Sequence, residues 1–386
     1  MSSRVYEWHQ DNEFNLRVDG HRYFPRILEA FEQAESSIDI EMYLVSSGTS
    51  CDQVVDALLQ AVSRGVKVRF MFDAIGSEKM KQPDRDRLSD GGVATRIYNP
   101  TSWYHGTRMF HRDHRKLIII DQKITFVGGT GFTDEFCQQE EGSDCPRWHE
   151  QMLEVQGPVV ADWLNLFEIE WARVGKYQRR GFSPVRRVKI PSRPQEGGGH
   201  ARVSYIGARE QKEVVASLLG ALAHSEQRVW LATPYFLPSW RIRRSLIRAA
   251  RRGVDVRLLL CGTSVDHVAV LYAGQRYYRR LLKAGVRIYE FQPRFTHLKT
   301  AMVDNWVSLG SCNFDHWTLH WNLEANQQAV DPGLASAVTE SFENDFAQSY
   351  EWTLERWRNL PLSHRLKIRV WGQINRWVMR IFGIHR

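Results

Sequence analysis

The stretch HRKLIIID, His114 to Asp121, returns near the other end of the chain as HLKTAMVD, His297 to Asp304. In both, a lysine follows the histidine by two residues and an aspartate follows by seven. The short apolar runs Leu117 to Ile120 and Ala301 to Val303 end at turn residues, so each motif reads as a buried strand. Alternate strand residues share a face, which puts His114 beside Lys116 and His297 beside Lys299. Asp121 and Asp304 fall on the opposite period and read as structural groups at the strand ends. Two such strands meeting at a dyad would turn two imidazoles and two ammonium groups into one pocket suited to a phosphodiester. A neutral histidine can attack phosphorus while a protonated one supplies a proton to the leaving alkoxide. Two lysines can balance charge on the phosphoryl oxygens, a task that then needs no metal ion or other cofactor.

Outward from these motifs, a repeat organises most of the chain. LLQAVSRGVKVRFMFD (Leu58 to Asp73) parallels SLIRAARRGVDVRLLL (Ser245 to Leu260), each reading as helix, Arg-Gly-Val turn and strand, with glycine at the helix C-terminal cap. Strands near Ile38 to Val45 and Arg228 to Phe236 correspond, as do Gly91 to Pro100 and Ala284 to Pro293, and LFEIEW corresponds to SFENDF. Strands alternating with helices predict an α/β fold with a mixed or parallel sheet in each half. Tyr43 and Tyr235 occupy equivalent places and read as core aromatics. Between the halves, Arg173 to His200 is rich in Arg, Pro and Gly and reads as a linker.

These residues resemble the HKD motifs of the phospholipase D superfamily, and the chain from about residue 10 to 355 is similar to the short bacterial cardiolipin synthases without membrane spans. The resemblance implies two tandem phospholipase D-like α/β/α halves with mixed sheets, related by a pseudo-dyad, with the active site between them. It divides the chain into 1–175, a basic linker 176–200, 201–358 and a C-terminal helix 359–386. As catalytic set it implies the full motifs: His114, Lys116, Asp121, His297, Lys299 and Asp304. The family motif continues through Gly-Gly or Gly-Ser to an asparagine. Gly310, Ser311 and Asn313 match in the second copy, whereas the first has Gly128 and Gly129 but Gly131 in place of asparagine, so the half-sites are expected to differ. Glu150, in the first half, and Glu324, in the second, match the acidic residues that orient the histidines. By analogy, His114 is the nucleophile and His297 the acid and base.

The resemblance further implies phosphatidyl transfer to the glycerol hydroxyl of phosphatidylglycerol through a phosphohistidine, at the cytoplasmic side of the bacterial membrane. Hydrolysis of a phospholipid or nucleic acid by the same site, and an idle lipid-binding scaffold, are the competing readings. A net charge of +8 suits either anionic partner. No stretch of about 18 apolar residues is present, and the N-terminus carries no apolar leader. The five scattered cysteines argue against a disulfide framework or a zinc site. His105 and His111 lack the lysine and aspartate spacing and read as rim or core residues. From Leu362 to Phe382, apolar residues recur at helical spacing beside Arg365, Arg369, Arg376 and Arg380. This basic amphipathic helix, with the 14 tryptophans, favours an anionic membrane surface over nucleic acid.

Overall fold

A computed structural model of the protein describes residues 6–100, 111–137, 147–178, 198–207, 213–262, 268–315 and 321–381. Most of the expected linker, and His105, lie outside the described residues. The first half contributes strands β1 (His9–Val18), β2 (Ser37–Met42), β3 (Lys67–Asp73), β4 (Ala94–Tyr98), β5 (Arg112–Asp113), β6 (Lys116–Ile120), β7 (Ile124–Gly128) and β8 (Gln151–Gln156). The second contributes β9 (Gly199–Ile206), β10 (Arg228–Thr233), β11 (Asp255–Cys261), β12 (Arg287–Phe291), β13 (Thr300–Val303), β14 (Trp306–Gly310), β15 (Asn322–Val330) and β16 (Ser349–Trp352).

Duplication is visible in the strand order. The first half runs β1-β8-β7-β6-β2-β3-β4 and the second β9-β15-β14-β13-β10-β11-β12, with β16 added at its edge. In both, the last three strands pair in parallel and the others antiparallel. The two mixed sheets expected from the repeat are one continuous sheet, because β1 pairs antiparallel with β9. Joining the sheets satisfies backbone groups that two separate edges would leave open.

The helix-turn-strand repeat rests on its glycines. The helices Thr49–Ser63 and Trp240–Arg251 each end two residues before a glycine of positive φ, 92° at Gly65 and 93° at Gly253. Val66 N–H then reaches back to Ala61 O and Val254 N–H to Ala249 O, closing both helices alike and aiming the chain into β3 and β11.

Among the described residues, apolar side chains fill three large cores and a small one of Met71, Tyr98, Val174 and Leu323. One lies between β2, β3, β6 and the helices of the first half, and its counterpart lies in the second half. The third is shared: Leu117, Leu153, Trp163 and Phe167 from the first half pack with Val203, Met302, Ala325 and Phe342 from the second. The helices Val160–Gln178 and Pro332–Ala347 cover that face. A common core fixes the halves against each other, which a site spanning both requires.

Candidate active site

Each motif histidine sits just ahead of its strand. β6 opens at Lys116 and β13 at Thr300, so His114 and His297 lie on the approach segments and are not strand residues as the period alone predicts. The lysine amines fold back along the chain, Lys116 Nζ donating to His114 O at 2.6 Å and Lys299 Nζ to His297 O at 2.5 Å. Lys299 is almost wholly buried, at 1% exposure.

The approach segments cross between halves. β5 adds in parallel to the start of β15, and His114 N–H donates to Leu323 O at 3.0 Å, one residue before Glu324. Reciprocally, His149 bridges to Thr296, and His297 N–H donates to His149 O at 2.8 Å, one residue before Glu150. The side chains follow the same exchange. His114 Nδ1 lies 2.9 Å from Glu324 Oε1, and His297 Nδ1 lies 2.8 Å from Glu150 Oε2. Reading each glutamate as the partner of its own half's histidine is therefore corrected, since each serves the other half. A carboxylate at Nδ1 fixes the ring tautomer and leaves Nε2 for chemistry.

The charges of both halves act on one another. Burial lowers the His114 pKa against the pull of Glu324, with Lys116 and Lys299 adding to the fall. Burial, then Lys299, Lys116 and His114, hold His297 well below its ordinary value. Burial brings Lys116 down to about 7, opposed by Glu324 and assisted by Lys299. Burial pushes Glu150 up to about 7, opposed by Lys299 and others. Cations and imidazoles that depress one another's protonation this way form a site short of negative charge, the condition under which a phosphate binds.

Asp121 and Asp304 do not join this cluster, and their place in a catalytic set is corrected. Both sit at positive φ in the turns that leave β6 and β13. Asp121 accepts N–H bonds from Glu35, Ser36 and Ser37, and Asp304 accepts them from Glu226, Gln227 and Arg228. Although burial alone would raise them, these donors lower both carboxyl pKa values. They tie β6 and β13 to the starts of β2 and β10.

The half-sites differ where the motif departs from symmetry. Ser311 Oγ donates to Glu324 Oε2 at 2.5 Å, and Asn322 Nδ2 lies 3.3 Å from Glu324 Oε1. Its counterpart Gly129 donates no side-chain bond, and Glu150 accepts instead from Gln151 N–H at 2.9 Å. A Cβ at 129 would overlap the Glu150 carboxylate. Asn313 is buried, with its side-chain oxygen unpaired among the described residues. At Gly131 a Cβ would stand 2.7 Å from Leu44 O, so the asparagine of the second copy does not fit the first. Gly129→Ala is expected to displace Glu150 and cut turnover on the order of 100-fold. Steady-state kinetics beside a thermal melt check it, and full activity in a folded variant would contradict the assignment.

Several residues around the cluster escaped the sequence reading. Phe136, Trp148 and Phe295 ring His297 at centroid distances of 5.5, 5.4 and 5.9 Å. Tyr43, read as core, is part-exposed, and its ring lies 4.6 Å from that of His114 and 4.9 Å from Lys116 Nζ. Tyr235 is also part-exposed. His149 is buried between Asp19 at 2.8 Å and Asp345 at 3.0 Å, and those bonds outweigh burial and raise its pKa to about 9. His111 instead meets the Trp321 carbonyl. The charged neighbours of His149 lie more than a hundred residues away in sequence, so no local pattern reveals them.

A sheet duplicated strand for strand, with a two-histidine, two-lysine cluster formed across the join, defines a bipartite α/β protein of the phospholipase D-like class. The same architecture occurs in the crystal structure of phosphatidylserine synthase from Haemophilus influenzae, which matches over 99% of this chain and 97% of that one, with a TM-score of 0.75 at 12% identity. The family model described as cardiolipin synthase, PLD-like domain, matches twice, over residues 27–165 and 218–346. The chain belongs to this cardiolipin synthase family. It is 31% identical to cardiolipin synthase B of Salmonella typhimurium, over 92% of this chain and 87% of that protein. It is 30% identical to the probable cardiolipin synthase YwiE of Bacillus subtilis, over 90% of this chain and 69% of that one. Membership makes it a phospholipid-modifying enzyme. Among the described residues, no helix is long and apolar enough to cross a membrane.

Proposed function

We propose that the protein transfers a phosphatidyl group from one phospholipid to the glycerol hydroxyl of phosphatidylglycerol, forming cardiolipin. The observation that carries this reading is the reciprocal pairing of each histidine with the opposite half's glutamate. It prepares two Nε2 atoms for opposite roles on one phosphodiester.

His114 Nε2 attacks phosphorus, forming a P–N bond as the bond to the departing alkoxide breaks. His297 Nε2 gives that alkoxide its proton, and an alcohol leaves. The acceptor hydroxyl then passes its proton to His297 as its oxygen bonds phosphorus, and the P–N bond breaks to restore His114. Glu324, held by Ser311, keeps the His114 Nδ1–H in place and Nε2 free. The other pair is suited to the acid role because Glu150, pushed up to about 7, stores a proton beside His297. An entering phosphate anion draws that proton onto the imidazole. Lys116 and Lys299 balance charge on the non-bridging oxygens. The aromatic shell of Phe136, Trp148 and Phe295 favours a lipid alcohol over water as acceptor.

Vesicles of phosphatidylglycerol incubated with the protein are expected to yield cardiolipin and free glycerol. Phosphatidic acid without cardiolipin would establish hydrolysis instead. The Lys116 ammonium, present below about pH 7, is lost as pH rises through that value in the empty site. Anion binding therefore weakens in the same direction, and kcat/KM is expected to decline from near neutrality upward. A flat profile to pH 9 would contradict the role given to Lys116.

A further inference from the structure

The C-terminal helix Leu362–Ile381 contains no acidic residue and presents three different faces. Its packed face carries buried Ile368 and Met379 and the close approach at Gly372, whose carbonyl accepts from Arg276 Nη1 at 2.5 Å. His364 and Gln275, 2.8 Å apart, hold the same side. A second face is apolar and turned outward, with Leu362 at 81% and Trp377 at 65% exposure and Leu366, Val370 and Ile374 also exposed. At about 100° per residue, Arg365, Arg369 and Arg376 form a row between these two faces.

That row closes one side of an open cavity of about 590 Å3, whose other sides carry Arg276, Arg279 and Arg358. Trp357 and Ile368 supply its apolar wall, and no acidic residue among the described residues lines it. Elsewhere the fold gives many arginines carboxylate partners, as Arg69 has Asp39 and Glu168 and Arg87 has Asp52 and Asp56. Here six guanidinium groups gather without one among the described residues. Their mutual repulsion is relieved by an anion, and guanidinium forks match phosphate oxygens better than a point charge does. The exposed apolar row beside the arginines selects the source of that phosphate. A helix lying in a bilayer interface with Leu362, Leu366, Val370, Ile374 and Trp377 among the acyl chains holds its flanking arginines at headgroup level.

We propose that this cavity binds the phosphate-bearing headgroup of an anionic phospholipid and seats the protein on a bilayer through the Leu362–Ile381 helix. The cavity shares no residue with the histidine cluster. Binding is measured without turnover, so its outcome is independent of the transferase reading.

The test is flotation of the full chain with phosphatidylcholine vesicles, with and without phosphatidylglycerol. Binding is expected to require the anionic lipid. Arg279→Gln with Arg358→Gln, which leaves the helix untouched, is expected to weaken it about 30-fold. Arg365→Gln with Arg369→Gln, at exposed positions, gives a second measure of similar size. Lys67→Gln with Lys81→Gln removes the same charge elsewhere and is expected to change binding less than twofold. Equal weakening by the lysine pair would overturn the site in favour of general surface charge. Arginine-dependent binding of inorganic phosphate without vesicle binding, or tighter binding of a DNA duplex than of vesicles, would overturn the lipid assignment.

Discussion

His114→Ala is expected to reduce cardiolipin formation by on the order of 10,000-fold and to leave no phosphorus bound to the protein, because it removes the nitrogen assigned to attack. His297→Ala should behave differently. With a natural donor it loses the acid, a deficit of roughly 100- to 10,000-fold. With a phosphodiester donor carrying a nitrophenolate leaving group, which departs without a proton, the first step proceeds and the second stalls for want of a base. Protein-bound phosphate should then accumulate and can be read by phosphorus NMR or a radiolabel. Labelling of His114→Ala but not of His297→Ala would reverse the two roles. Both rings are buried or nearly so, so melts of the two variants are needed alongside.

Arg115→Met is expected to lower stability by about 3–5 kcal/mol, because it strands buried carboxylates around a vanished cation. Arg115, itself buried, reaches Glu41 at 2.5 Å, Asp113 at 2.9 Å and Glu170 at 3.6 Å. Arg173 also reaches Glu170, at 3.2 Å, so two guanidinium groups face the three acids. Burial drives Glu41 well above its ordinary pKa against the pull of Arg115, while Arg115 holds Asp113 below its own against burial. Asp113, lowered in the fold, contributes stability above the unfolded carboxyl pKa and loses it as pH falls through the folded value. In the variant the same acids must take up protons to remain buried, so its deficit should shrink toward acid pH. Urea unfolding at pH 7 and pH 4 measures both. A deficit under 1 kcal/mol at pH 7 would show that the cluster relaxes or fills with water.

The cluster also explains why the segment before β6 is so rigidly placed. Asp113 N–H donates to Asp73 Oδ2 at 3.0 Å, and Arg112 reaches the same carboxylate at 3.4 Å. β5, only two residues long, is held by these bonds against a strand of the opposite half. Side chains of polar type at Arg112, Asp113 and Arg115 look like an exposed loop in the sequence, and nothing local distinguishes them from one.

What could be read without coordinates was whatever is local or repeated. The apolar runs after Lys116 and Lys299, the Arg-Gly-Val turns and the parallel spacing of both halves depend on neighbours in sequence, and they appear as β6, β13, β3 and β11. The motif histidines and lysines stand out in the sequence for the same reason, whereas the glutamates enter only through the family resemblance. Contacts between distant segments were not. The β1–β9 join, the exchange of glutamates and the carboxylates around His149 are decided by which edges meet in three dimensions, and alternation along a strand carries no record of that. The C-terminal helix shows both sides of the limit. Its apolar period was plain, but only packing reveals that Ile368 and Met379 face the protein while Leu366 and Trp377 face out.

Because His114 relies on Glu324 and His297 on Glu150, neither copy of the repeat contains a finished working unit. A gene encoding one copy alone could regain such a unit only by self-association, and a drifting change at either glutamate would be felt by the partner copy. Within one chain, the peripheral helices and loops of each repeat are free of this constraint, whereas a change at any of the four positions acts across the join.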